Sequence, residues 1–312
     1  MMPLVNRNLL SIDDFTAEEI AHILAAAGKL KSEPTAVDRL ARGQTLAMVF
    51  EKPSLRTRVT FEVAMTQMGG HAVYLAPSDI GLGTRESVKD VARCLSRWCQ
   101  AIMARTFAHD TVVELAEHAS IPVINALSDR EHPCQALADF LALIEHKAPL
   151  AGRKLAYVGD GNNVVHSLML LAAKVGTHFS IACPEGYEPL PEIVARSHKI
   201  AAVTGVRIEI ERDPVKAVAG ADAVYTDVWT SMGQESERQE RLRVFPPYQL
   251  NAALLRQAKP NAVVMHDMPA HRGEEITDEV LDGPQSIVLD QAENRLHAQK
   301  AVLALVLGWT LQ

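Results

Sequence analysis

Along the chain, short continuous apolar runs alternate with longer stretches whose apolar residues recur at helical spacing. The runs at 45–50, 71–75, 101–105 and 121–125 read as strands, with helical segments such as RVTFEVAMTQMG and ESVKDVARCLSRW between them. The series restarts with runs at 154–159, 178–183, 206–211, 221–226 and 262–266. Continuous rather than alternating apolar strands, separated by helices, predict parallel sheets covered on both faces. Thr16 with Glu19 has the spacing of a capping box opening the first helix. Pro149 and Gly152 interrupt the pattern within 145–154, the predicted joint between two similar α/β halves, and the segment AENRLHAQKAVLALVLGW predicts one long amphipathic terminal helix.

Composition narrows the classes. With 312 residues the chain has room for two domains. Its 48% hydrophobic and 22% charged residues are those of a globular protein and exclude disordered and low-complexity classes. Lys and Arg total 31 against 38 Asp and Glu, a net charge of −7, which argues against nucleic acid or an acidic membrane surface as a partner. An anionic ligand then needs a local basic pocket. Cys94, Cys99, Cys134 and Cys183 form no CxxC pair and are too sparse for a disulfide scaffold. No apolar run approaches the roughly 20 residues of a spanning helix, and the N-terminus has no signal-peptide pattern, so a cytoplasmic protein is expected.

Candidate chemistry gathers at the carboxyl ends of the strands, where open parallel sheets bind ligands. Ser54-Leu55-Arg56-Thr57-Arg58 follows the first strand and opens a helix, whose N-terminus, hydroxyls and guanidinium forks suit phosphate. Arg105 ends the third strand, and His132-Pro133-Cys134-Gln135 begins another helix; together they point to a small anion with an adjacent carbonyl or amide. In the second half, Gly159-Asp160-Gly161-Asn162-Asn163 approximates a dinucleotide fingerprint but has Val164 in place of the third glycine. An NAD-dependent dehydrogenase is therefore a rival reading, with Glu185 near the ribose-binding position. Asp227 opens the polar segment Asp227–Glu235, where an acid suits an ammonium group. His266, Asp267, His271, Arg272, Glu274 and Glu275 crowd one further strand end without a fixed metal-ligand geometry, so no metal is expected.

SLRTR, HPCQ, GDGNN, DVWTSMGQE, PAHRGEE and DQAENRLHAQK occur in the order found in ornithine carbamoyltransferases, and from about residue 45 onward the chain resembles that family. The first two motifs belong to carbamoyltransferases generally, and DVWxSMGQE is the ornithine-type signature. The resemblance implies two doubly wound parallel-sheet domains with the active site between them. Residues 1–147 would bind carbamoyl phosphate, with the C-terminal helix 291–312 packed back on them, and residues 148–290 would bind ornithine. It assigns carbamoyl phosphate to Ser54, Leu55 (by its main chain), Arg56, Thr57, Arg105, His132, Gln135 and Arg295. Ornithine falls to Asn163, Asp227, Ser231, Met232, Asp267 and Met268. Arg105, His132, Asp227, Asp267 and Arg295 would carry the reaction, without a cofactor, in a homotrimer or a multiple of trimers.

Two departures stand out. The family's usual His-Cys-Leu-Pro is His266-Asp267-Met268-Pro269 here, so a carboxylate replaces the thiol expected beside the attacking amine. That keeps open a different amine acceptor, such as putrescine, lysine or another diamino acid. The glutamine common in a loop donated by a neighbouring subunit is not evident in Asp79–Gly83. A carbamoyl-phosphate-binding regulator without catalysis is a third reading, opposed by the intact DVWTSMGQE.

Overall fold

The computed structural model describes residues 4–33 and 40–309. The chain forms two compact units, one of residues 1–141 with 293–312 and the other of residues 142–292. The chain crosses between them inside two helices, Pro133–Lys147 and Val288–Val306.

The first unit is built on β1 (Thr45–Phe50), β2 (His71–Leu75), β3 (Ala101–Arg105) and β4 (Val123–Leu127), all parallel, in the order β2-β1-β3-β4. Its main helices are α1 (Ala17–Ser32), α2 (Leu55–Gln67), α3 (Val88–Trp98), α4 (His109–His118) and α5 (Pro133–Lys147). The capping box at the start of α1 forms as the sequence predicts: Thr16 accepts from the Glu19 N–H, and Glu19 accepts from the Thr16 N–H at 2.8 Å. Strand β4 begins two residues later than the apolar run suggests. Pro122 has no N–H to give the ladder, and its carbonyl instead accepts from Ile102. The register also shifts between Ala104 and Arg105, which re-aims the Arg105 side chain at the strand end.

The second unit holds β5 (Lys154–Val158), β6 (His178–Ala182), β7 (Ile208–Glu211), β8 (Ala223–Tyr225) and β9 (Val263–Met265), in the order β7-β6-β5-β8-β9. Every pairing is parallel. Its helices include α6 (Asn163–Val175), α7 (Pro191–Thr204) and α8 (Arg238–Val244). The apolar runs of β5 and β8 lie wholly inside the core, as expected of central strands covered on both faces.

In each sheet the strand order reverses at one place, between β1 and β3 in the first and between β5 and β8 in the second. At such switch points the loops leaving adjacent strands diverge to opposite faces and open a crevice. The last helix, α9 (Val288–Val306), starts four residues before the segment the sequence marked. From residue 293 on it belongs to the first unit. There Asn294 accepts from Lys31 at 2.8 Å, and the Val306 carbonyl accepts from the Asn6 N–H at 2.8 Å.

Candidate active site

In the first unit, Ser54 caps α2 by accepting from the Thr57 N–H at 3.3 Å. This turns the first helical turn toward the β1–β3 switch point. Thr57 is fully buried, and two guanidinium groups converge on its hydroxyl oxygen. Arg295 donates to it at 2.9 Å and Arg105 at 3.4 Å. With its lone pairs so engaged, the hydroxyl retains its hydrogen to offer a ligand. Arg295 also donates to the Gln135 amide oxygen at 2.8 Å, and Gln135 donates to Asp139 at 2.8 Å. Residues from α2, β3, α5 and α9 thus lock one cationic cluster. Leu55 opens α2 with its side chain exposed.

His132 is buried beside these cations. Burial, then Arg295, Arg105 and Lys52, hold its imidazole well below the ordinary value, so the ring is neutral at pH 7. A neutral imidazole donates one N–H without adding charge. Cys134 takes no part: burial pushes its thiol up to about 12. Lys52, absent from the sequence-based assignment, is 8% exposed and stands over the Phe107 ring at 5.0 Å. Burial and then Arg105 bring its ammonium down to about 8. Arg58, read from sequence as a second phosphate fork, is not one. It pairs with Glu62 at 3.1 Å and lies over the Tyr74 ring.

In the second unit, the β5 turn and the end of β8 flank the other switch point. Asn162 caps α6 through its amide oxygen, accepting from the Val164 and Val165 N–H groups, and its amide nitrogen donates to Asp227 at 2.7 Å. The other Asp227 oxygen accepts from the Val228 N–H at 2.6 Å. Asp227 is thereby fixed in a buried position, with Asn163 beginning the adjoining helix.

The glycine turn does not hold a dinucleotide. In the fingerprint, the second glycine lets a pyrophosphate approach the backbone. Here a Cβ on Gly161 would lie 2.3 Å from the Pro189 nitrogen, and Gly161 N–H donates to the Tyr187 carbonyl at 2.9 Å. The chain's own residues 187–189 fill that space, and Glu185 is exposed. The dehydrogenase reading loses its footing there.

The Asp227–Glu235 segment is tied down by Arg241, a buried residue that the sequence reading missed. Its Nη1 donates to the Trp229 carbonyl at 2.7 Å and to Asp160 of the β5 turn at 2.9 Å. Burial outweighs this partner and pushes the Asp160 carboxyl up to about 6. Beyond the tie, Ser231 is half-buried and Met232 is 46% exposed.

At the end of β9 stand the residues of segment 266–275. His266 is fully buried; its Nδ1 accepts from the Met268 N–H at 2.9 Å, so Nε2 carries the hydrogen and donates to Glu275 at 3.0 Å. Met268 adopts a left-handed φ of +58°, and with the His266 bond this sets the direction of Asp267. Asp267 is thereby brought up to Asp227. Side-chain atoms of Asp227, His266 and Asp267 lie within 4.8 Å of one another, but both ring nitrogens of His266 are already engaged. The His271 backbone N–H donates to the same Glu275 oxygen at 2.6 Å, and side-chain atoms of His271, Glu274 and Glu275 lie within 4.8 Å of one another; Glu274 also receives Arg238, while Arg272 pairs with Asp278 and Asp282.

Two parallel doubly wound sheets, one with guanidinium groups and one with carboxyl groups at its switch point, have the build of a two-domain, two-substrate transferase. The chain belongs to the aspartate/ornithine carbamoyltransferase family. The family's carbamoyl-P binding domain matches residues 7–145 and its Asp/Orn binding domain residues 151–306. The anabolic ornithine carbamoyltransferase of Pyrococcus furiosus is 54% identical over 310 residues, which are 99% of this chain and 98% of the relative. That of Geobacillus stearothermophilus is 54% identical over 309 residues, 98% and 99% of the two chains. The solved ornithine carbamoyltransferase of P. furiosus superposes with a TM-score of 0.96 at 53% identity, covering 99% of this chain and 100% of that one. For the Thermus thermophilus enzyme the TM-score is 0.87 at 47% identity, covering 97% and 98%.

Proposed function

We propose that the protein transfers the carbamoyl group of carbamoyl phosphate to the side-chain amine of L-ornithine, giving L-citrulline and phosphate. The observation that carries this reading is the pairing of two chemistries in a full-length member of this family. Thr57, Arg105, His132, Gln135 and Arg295 form a buried cationic cluster, and Asp227 with Asp267 forms an acidic one.

Residues 1–147 with 291–312 bind carbamoyl phosphate, and residues 148–290 bind ornithine. Ser54, Leu55 N–H, Arg56 and Thr57 hold the phosphate at the start of α2, where unpaired N–H groups and the helix dipole favour an anion. Lys52 adds charge to the same group. Arg105, neutral His132, Gln135 and Arg295 address the carbamoyl group and stabilise the oxyanion that forms when the amine attacks. Such preorganised donors supply the largest share of rate enhancement in acyl-type transfers. The leaving phosphate departs onto Arg56 and the α2 N-terminus. On the ornithine side, Asp227 and Asp267 receive the side-chain amine, and Asn163, Ser231, Met232 and Met268 hold the rest of the molecule. No step calls for a cofactor or a metal. The protein works in the cytoplasm, as a homotrimer or a multiple of one, by analogy with the family.

The test is direct. Carbamoyl phosphate and ornithine, incubated with the protein, are expected to yield citrulline and phosphate in equal amounts. Phosphate release without citrulline would refute the transfer.

A further inference from the structure

A carboxylate where the family has a thiol changes the proton chemistry at the amine. Two ionised carboxylates repel, and a hydrogen bond between two carboxyl groups exists only if one of them carries a proton. Carboxylate oxygens of Asp227 and Asp267 lie within 4.8 Å of each other and of a His266 ring nitrogen, and Asp227, itself buried, also receives the Asn162 amide and the Val228 N–H. We propose that Asp227 and Asp267 share a single proton and together act as the proton acceptor for the attacking amine of ornithine. This rests on the acceptor reading above and adds the fate of the proton.

The groups packed around the pair support a shared proton. The Nδ1 of His266 accepts from the Met268 N–H and lies 3.6 Å from an Asp267 oxygen, while its Nε2 is engaged with Glu275. Asp160, at the β5 turn, already has Arg241 as its partner, and Glu275 has His266. The Tyr157 phenol lies near the pair and is held well above its ordinary value by burial and then by Asp227, so it is neutral. Burial, then the charge of Asp267, likewise pushes the Asp227 carboxyl well above its ordinary value. The side chain of Asp267 is the more accessible of the two, at 14% exposed, and so is the one that an incoming amine meets first.

The proton count follows. Ornithine arrives as an ammonium ion, since an alkylamine titrates near pH ~10. On binding, its N–H groups replace the shared proton between the two carboxylates, and that proton leaves to solvent. For attack, one N–H bond breaks and its proton returns to the pair. The freed lone pair forms the C–N bond to the carbamoyl carbon. The C–O bond to phosphate then breaks, its electron pair leaving with the phosphate, which takes the second amine proton. The pair ends the cycle with its single proton restored.

Proton release on binding separates this from a simple ionic clamp, in which two permanent carboxylates would hold the ammonium without any release. Ornithine is titrated calorimetrically at pH 7 into the protein saturated with phosphonoacetamide, whose methylene replaces the scissile oxygen, in two buffers of different ionisation enthalpy. About one proton released per ornithine is expected, and Asp267→Asn, which keeps the shape, is expected to release clearly less. In the same variant, kcat should climb roughly tenfold per pH unit between about pH 6 and 8 while the parent stays nearly flat, because a lone carboxylate leaves the amine protonated. Absence of proton release from the parent, or equal release from both proteins, would overturn the proposal while citrulline formation stands. A parent that makes no citrulline overturns the acceptor reading, and this inference with it.

Discussion

Thr57 shows how much a single hydroxyl can organise. It is the shared acceptor of Arg105 and Arg295, which come from β3 and α9, far from it in sequence. Thr57→Val keeps the shape but leaves two buried guanidinium groups short of an acceptor. We expect kcat/KM for carbamoyl phosphate to fall on the order of 100-fold, with the fold intact by circular dichroism. Lys52 makes a pH prediction. Its ammonium titrates at about 8, so the cation is present below that pH and lost above it. Affinity for phosphonoacetamide should therefore weaken as pH rises through about 8, and Lys52→Met should bind more weakly with that step removed. The motif residues were readable because each lies in a short run at a strand end. Lys52 was not, because its role comes from burial beside Arg105, and a lone lysine in sequence reads as solvated. Arg58 misled for a geometric reason: two residues on from Arg56, it lies about 200° further round the helix and faces away.

At the level of elements, the strand runs at 45–50, 71–75 and 101–105 coincide with β1, β2 and β3, because continuous apolar runs leave little choice of register or face. The start of β4 slipped by two residues on the proline effect described above. What holds the Asp227–Glu235 segment was invisible. Arg241 sits on a helix that reads as charged surface, and its partner Asp160 is 81 residues away. Arg241→Met should raise KM for ornithine roughly tenfold while changing kcat less, because it loosens the segment and not the reacting groups. Arg241→Lys should recover part of that loss. Removing one member of a buried ion pair costs about 3–5 kcal/mol. The destabilisation should be largest above pH 6, where Asp160 is ionised, and shrink below it as the carboxyl takes up a proton. Thermal melts of parent and variant at pH 5 and pH 7.5 check the sign.

Over the whole molecule, the net charge of −7 is resolved locally. Cationic groups gather at the switch point of the first sheet and acidic groups at that of the second, which under the proposed function gives each substrate opposite charge on an acidic protein. Two α/β halves were legible in the sequence, because alternating strands and helices with an interruption near 150 admit few other arrangements, whereas the return of the last helix followed only from the family resemblance. The assembly is the family trimer by proposal, and light scattering should return three times the 34.1 kDa chain mass or a multiple of it. The identity of the amine is tested by acceptor competition. With carbamoyl phosphate saturating, kcat/KM is measured for ornithine, lysine and putrescine under one set of conditions. Ornithine is expected to lead by at least about 100-fold, since an acceptor one methylene longer displaces the amine from Asp227 and Asp267, and putrescine lacks the amino-acid end altogether. Putrescine or lysine equalling ornithine would contradict it.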